Sequence, residues 1–220
     1  MSQFTKTVKQ FGMIGMIAGA LACATAANAD VINIFGDTNN STEGIGDFEG
    51  TISYEAKKHD EGLLTIELTN TSQCEDSLWI TGFVFNIDSS DHHAEADLDD
   101  ADYHFKGVED EKAQPFGKHF DAGAALKGNW EGGGDPKDGI DIGDSGTFTF
   151  EIEADDAEDL MASSFINGPY DFNFIVRFRG GDCGEGGSDK VPGSVPSPAS
   201  LAIMLVGAAT MGGRGKRRRA

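Results

Sequence analysis

The chain has 220 residues, with 37 acidic against 17 basic side chains and a formal charge of −20. That length suits one domain of ordinary size plus processing segments. A surface of this sign repels nucleic acid and anionic head groups, so neither is expected as a partner.

The first element is residues 1–29. Lys6 and Lys9 precede an apolar stretch from Phe11 to Ala26, and Ala27-Asn28-Ala29 stands before Asp30. A basic start, an apolar middle and an A-x-A site make a secretory signal peptide, the substrate of signal peptidase. Inside it, Ala20-Leu21-Ala22-Cys23 loosely resembles a lipoprotein box, but Ala20 stands where that pattern favours Leu. Between this segment and the tail, ten basic residues face all 37 acidic ones, a formal −27 for the body.

Next come short runs with a period of two. GTISYEA (50–56) and GLLTIELTN (62–70) flank the polar KKHDE, which predicts a hairpin. LWITGFVFNID (78–88) is the most apolar run and reads as a central strand; DYHFKGV (102–108) is weaker. GTFTFEIE (146–153) sets Phe148, Phe150 and Ile152 on one face. DFNFIVRFR (171–179) sets Phe172, Phe174, Val176 and Phe178 on one face and Ile175, Arg177 and Arg179 on the other. Residues 154–165 read as a turn or short helix, and 180–194 as a Gly-rich linker. The pattern predicts an all-β fold over residues 30–179. This is an antiparallel β-sandwich of about seven to nine strands, jelly-roll-like or Ig-like, with an open barrel as the alternative.

Candidate chemistry lies in the connections. DSSDHHAEADLDDADYH (88–104) is rich in the oxygen ligands that calcium prefers, and Asp97, Asp99 and Asp100 are its candidate ligands. The competing reading is a solvated acidic loop. His92, His93 and His104 offer transition-metal donors, but adjacent histidines on a strand point to opposite faces. Asp135, Asp138, Asp141 and Asp144 suit either calcium or turns. Neither G-x-S-x-G nor H-E-x-x-H occurs, no catalytic residue is assigned, and a non-enzymatic protein is expected. Trp130, in the Gly-rich loop GNWEGGG (128–134), is the candidate for stacking on a sugar. Trp79 is expected in the core, and Tyr54, Tyr103 and Tyr170 are further aromatic candidates. Cys74 and Cys183 remain once the signal is gone; export favours one disulfide between them, with two reduced thiols as the alternative.

The chain ends in three parts: Val195-Pro196-Ser197-Pro198, the apolar residues 201–213, and the basic Arg214, Lys216, Arg217, Arg218 and Arg219. Thirteen apolar residues make a helix of about 20 Å, short of the ~30 Å hydrocarbon core. The basic cluster stays cytoplasmic, so the acidic body lies outside and the tail is a weak, transient stop-transfer segment. This three-part order resembles the PEP-CTERM sorting signal of Gram-negative bacteria, with Ser197 where the usual motif has Glu. The resemblance implies recognition by an exosortase, transient inner-membrane anchoring, cleavage near the motif and transfer to the cell surface or extracellular space. LTIELTNTS, ITGFVFNID, GIDIGDSGTFTFEIE, FIVRFRGG and GSDKVPG resemble exported β-domains that carry such tails, a group that brings no catalytic residues. The expected function is that of a non-enzymatic acidic surface or extracellular-matrix protein. The alternative is a carbohydrate-binding module, calcium-assisted, with extracellular polysaccharide as partner.

Overall fold

The computed structural model describes residues 29–73, 78–168, 170–180 and 187–196. Ten strands follow one another: β1 (Asp30–Gly36), β2 (Phe48–Ala56), β3 (Glu61–Asn70), β4 (Trp79–Phe85), β5 (Glu95–Ala101), β6 (Phe105–Glu111), β7 (Phe120–Leu126), β8 (Ser145–Glu153), β9 (Phe174–Arg179) and β10 (Ser188–Ser194). All pairings are antiparallel, and they form one sheet in the order β5-β8-β3-β2-β1-β10-β9-β4-β7-β6. The sheet is rolled almost closed. Its two edges meet where Leu98 of β5 packs on Gly107 of β6. Among the described residues no helix is long and apolar enough to cross a membrane.

Alternation explains most of this. In β3, Leu64, Ile66 and Leu68 point inward and are fully buried, as are Phe148, Phe150 and Ile152 of β8. The inward rings of the two halves of the roll interlock. Phe83 of β4 meets Phe148 edge-on at 4.7 Å, Phe85 meets Phe150 at 5.2 Å, and Phe105 of β6 meets Phe148 at 5.0 Å. β7 uses small residues because its neighbour comes close: a Cβ at Gly123 would lie 2.1 Å from the Phe83 carbonyl oxygen.

Two expectations about segments are corrected. Residues 188–194, read as part of a linker, form strand β10, which pairs with β9 along its length and with β1 at Phe35 and Gly36. Asp189 and Val191 are buried there, so this stretch belongs to the core despite Pro192 and Gly193. Residues 95–101, read as acidic loop, form the edge strand β5, with Asp99 the extra residue of a bulge. Residues 154–165 hold two short 3-10 turns, Ala157–Asp159 and Ala162–Phe165.

Candidate functional site

β9 is buried on both faces. Its inner residues Phe174, Val176 and Phe178 join the main core, but outward-facing Ile175 is also fully buried and Arg177 is only 9 % exposed. Ile175 joins Val84, Val108, Phe120 and Ala125 in a second apolar layer, capped by Trp130 and flanked by Phe116 and Phe172. Trp130 is 1 % exposed and its Nε1 donates to the Lys112 carbonyl at 3.0 Å. This corrects the expectation of a solvent-facing Trp130: the loop that carries it folds down over the sheet. Trp79 is half-buried on the outer face, directly across from Arg179, and is not in the core.

Cations surround the Trp130 cap. Arg177 Nη1 donates to the Trp130 carbonyl, Arg179 Nη1 to the Gly133 carbonyl at 2.9 Å, and Lys190 Nζ to the Gln114 carbonyl at 3.1 Å. The Arg177 guanidinium and the Lys190 ammonium lie 5.9 and 6.0 Å from the Trp130 ring centroid. Burial lowers the pKa of Arg177 and of Lys190, Glu131 works against this in both, and the neighbouring arginine adds to the lowering in each. Glu131 is 3.9 Å from Arg177 Nη1, and the buried Arg177 Nε has no hydrogen-bond partner among the described residues.

Beside the cap lies a cleft of about 340 Å³. Phe116 and Phe172 meet edge-to-face at 5.1 Å along it, Tyr170 stands 59 % exposed at its mouth, and Asn86, Lys118 and His119 supply its polar groups. An apolar wall with one exposed ring and a few polar groups suits a ligand with an apolar face and a polar rim. Tyr170 was among the aromatic candidates; Phe116 was not, because it sits in the non-periodic connection between β6 and β7. The run PFGKHF, with aromatic and basic residues interleaved, was the available signal. A larger groove of about 510 Å³ lies along β1 and β2, rimmed by Asp47 and Glu49. Pro196 lines that groove where the chain leaves the sheet, and Phe35 is its exposed large apolar side chain.

The other expected sites fare differently. Asp97, Asp99 and Asp100 are exposed along β5, and among the described residues no group of three or more His, Cys, Asp or Glu is placed to hold a metal ion. The register sets Asp97 and Asp100 across from Glu151 and Thr149 on the outer face, with Asp99 in the bulge between them. His92 and His93 border a polar depression with Glu95, Glu109 and Asp121; His104 is not among its residues. Asp141 and Asp144 serve a turn: the Asp141 carboxylate accepts from Ile142 N at 2.8 Å, and Asp144 N donates to the Asp141 carbonyl at 3.0 Å. Val195 and Pro196 follow β10 directly. The signal peptide up to Asn28, the disulfide pair Cys74 and Cys183, Ser197 and Pro198, the apolar segment 201–213 and the basic cluster 214–219 lie outside the described residues.

No family model, curated protein or solved structure matches the chain.

Proposed function

We propose that the chain is a non-enzymatic, acidic exported protein of the cell surface or extracellular matrix, held briefly at the inner membrane and processed by an exosortase. The supporting observation is the junction at Ser194. The last strand ends there, and Val195-Pro196 begins at the next residue outside any strand. A cut near this motif therefore leaves every strand intact. The test is the intact mass and location of the mature protein in its host. The expected product lacks both terminal segments and is recovered outside the cytoplasm. Replacing Pro196 and Pro198 with Ala should leave a membrane-held precursor. A native protein that keeps Ala220 and stays in the inner membrane sinks the reading in favour of a plain anchor.

The aromatic cleft favours a second reading, carbohydrate binding by the folded body. The residues are Tyr170, Phe116 and Phe172 in place of Trp130, whose ring is covered. A glycan panel should give binding that Tyr170→Ala removes. Tyr170 is exposed enough for that change to leave the fold intact.

A further inference from the structure

The basic residues of the body are not scattered. Lys57 and Lys58 lie in the β2–β3 turn, and the other eight all lie in β6, β9, β10 or the connections between residues 112 and 137. Three of them share the outer face of β9 and β10. The register sets Lys190 directly across from Arg177, with Arg179 two residues further along the same face. Like charges placed opposite one another in a sheet repel. In a chain with 37 acidic residues, only Glu131 answers Arg177 in an ion pair among the described residues. The loop carbonyls of Trp130, Gly133 and Gln114 each take one donor from these cations. A guanidinium carries five N–H groups and an ammonium three, so most donors of Arg179 and Lys190 are not used by those carbonyls. The guanidinium fork matches a carboxylate or sulfate group.

The cations continue the aromatic cleft. From Ile175, which belongs to the apolar layer flanked by Phe116 and Phe172, to Arg179 is four residues of β9, about 13 Å at the rise of a strand. Several linked sugar residues cover that distance and a single one does not. Trp79, half-buried across from Arg179, puts a second aromatic surface at the far end.

We propose that this face binds an acidic polysaccharide, with a sugar ring against Tyr170 and the Phe116–Phe172 pair and the carboxylate or sulfate groups of adjoining residues on Lys190 and Arg179. The inference rests on the glycan-binding reading of the cleft and adds the charge of the ligand. The body's negative charge does not forbid it. At physiological salt the screening length is about 8 Å, so carboxylates across the molecule are damped while cations in contact with the ligand are not.

The test uses the full chain, with the tail's Arg214, Lys216, Arg217, Arg218 and Arg219 replaced by Gln in every sample so that the tail itself cannot hold a polyanion. Binding is measured to polygalacturonate, dextran sulfate and neutral dextran at ~0.15 M salt. The acidic polymers should bind at least about tenfold more tightly than dextran, and Arg179→Gln with Lys190→Gln should remove that preference. Arg179→Lys with Lys190→Arg should keep it, which separates charge from loop anchoring, and melting curves check that all variants fold. Tyr170→Ala should abolish binding to every polymer. If dextran binds as tightly as the acidic polymers and only Tyr170→Ala matters, the cleft reads glycans but the acidic preference is wrong. If nothing binds, or Tyr170→Ala changes nothing, the glycan reading falls and this inference with it.

Discussion

Asp189 is the most demanding single residue in the fold. It is fully buried, and its carboxylate accepts from Thr42 Oγ1 at 2.8 Å, Glu43 N and Ile45 N at 2.9 Å, and Gly46 N at 3.0 Å. It thus ties β10 to the connection before β2. Asp189→Ala orphans four donors at once and should cost about 3 kcal/mol. The denaturant midpoint should fall with an unchanged slope; a loss of a few tenths would show that water replaces the carboxylate cheaply. Asp156 makes a pH-dependent clamp. Partial burial raises its pKa, but hydrogen bonds from Ser89 Oγ, Ser90 N and Ser90 Oγ outweigh that and hold it below the ordinary value. A carboxylate with a depressed folded pKa stabilises above its unfolded pKa, near 3.9, and loses that stabilisation as pH falls through the folded value. Asp156→Ala should therefore lower Tm at pH 7 by a few degrees, roughly 1 kcal/mol, and the gap to the parent should close toward pH 2. An equal gap at both pH values would mean that packing, not the charge, is lost.

At the level of elements, the sequence was most readable where a strand has one wet and one dry face. β2, β3 and β8 alternate cleanly, and their inward residues are the buried ones. β5 was hidden by its acid. It is an edge strand whose outward positions carry Asp97, Asp99 and Asp100, and only Ala96 is buried. β7 was hidden by small residues, which close packing demands. β10 was hidden by Pro192 and Gly193, which are turn-forming in isolation but tolerated here. The candidate site was less legible than the fold. Whether Trp130 is covered depends on how residues 127–134 fold back, and no period encodes that. Asn70 in the TNTS run shows the same limit. Its Nδ2 donates to the Leu78 carbonyl at 2.6 Å and the Ile140 carbonyl at 3.0 Å, so that run is structural. The charges on β5 block edge-to-edge pairing. Replacing Asp97, Asp99 and Asp100 with Thr keeps strand propensity and removes three charges. Light scattering should then show concentration-dependent association that the parent lacks. If the triple variant stays monomeric, the edge is protected by the roll and not by charge. The same variant tests calcium: a specific site requires a rise in the parent's Tm at micromolar calcium that the variant loses.

On the scale of the molecule, the question is what closes the roll. Among the described residues β10 is the one strand hydrogen-bonded to both β1 and β9, and so joins the β5-β8-β3-β2-β1 half to the β9-β4-β7-β6 half. It supplies Val191 to the core, Asp189 to the backbone donors of the connection before β2 and Lys190 to the cationic face. The register also sets Trp79, the first residue of β4, opposite Arg179, the last of β9; in the sequence Cys74 precedes the one and Cys183 follows the other. Peptide maps of the native protein with and without reductant should differ by one Cys74–Cys183 cross-link, and thiol labelling of both in native material would count against it. Such a bond closes a loop of over a hundred residues, worth up to ~4–5 kcal/mol in the chain-entropy model. Apart from that bond, the hydrogen-bonded joint between the two halves is β10. A body of residues 30–195 should therefore melt in a single cooperative transition. A body of residues 30–187, ending where a linker would have begun, loses the strand and opens backbone edges on both β1 and β9. It should show no cooperative melt, bind a hydrophobic dye and aggregate. Adding a peptide of residues 188–195 to it should restore part of the transition. Equal melting of the two bodies would mean that residues 188–194 merely lie on the surface, and that the domain ends near Arg179 after all.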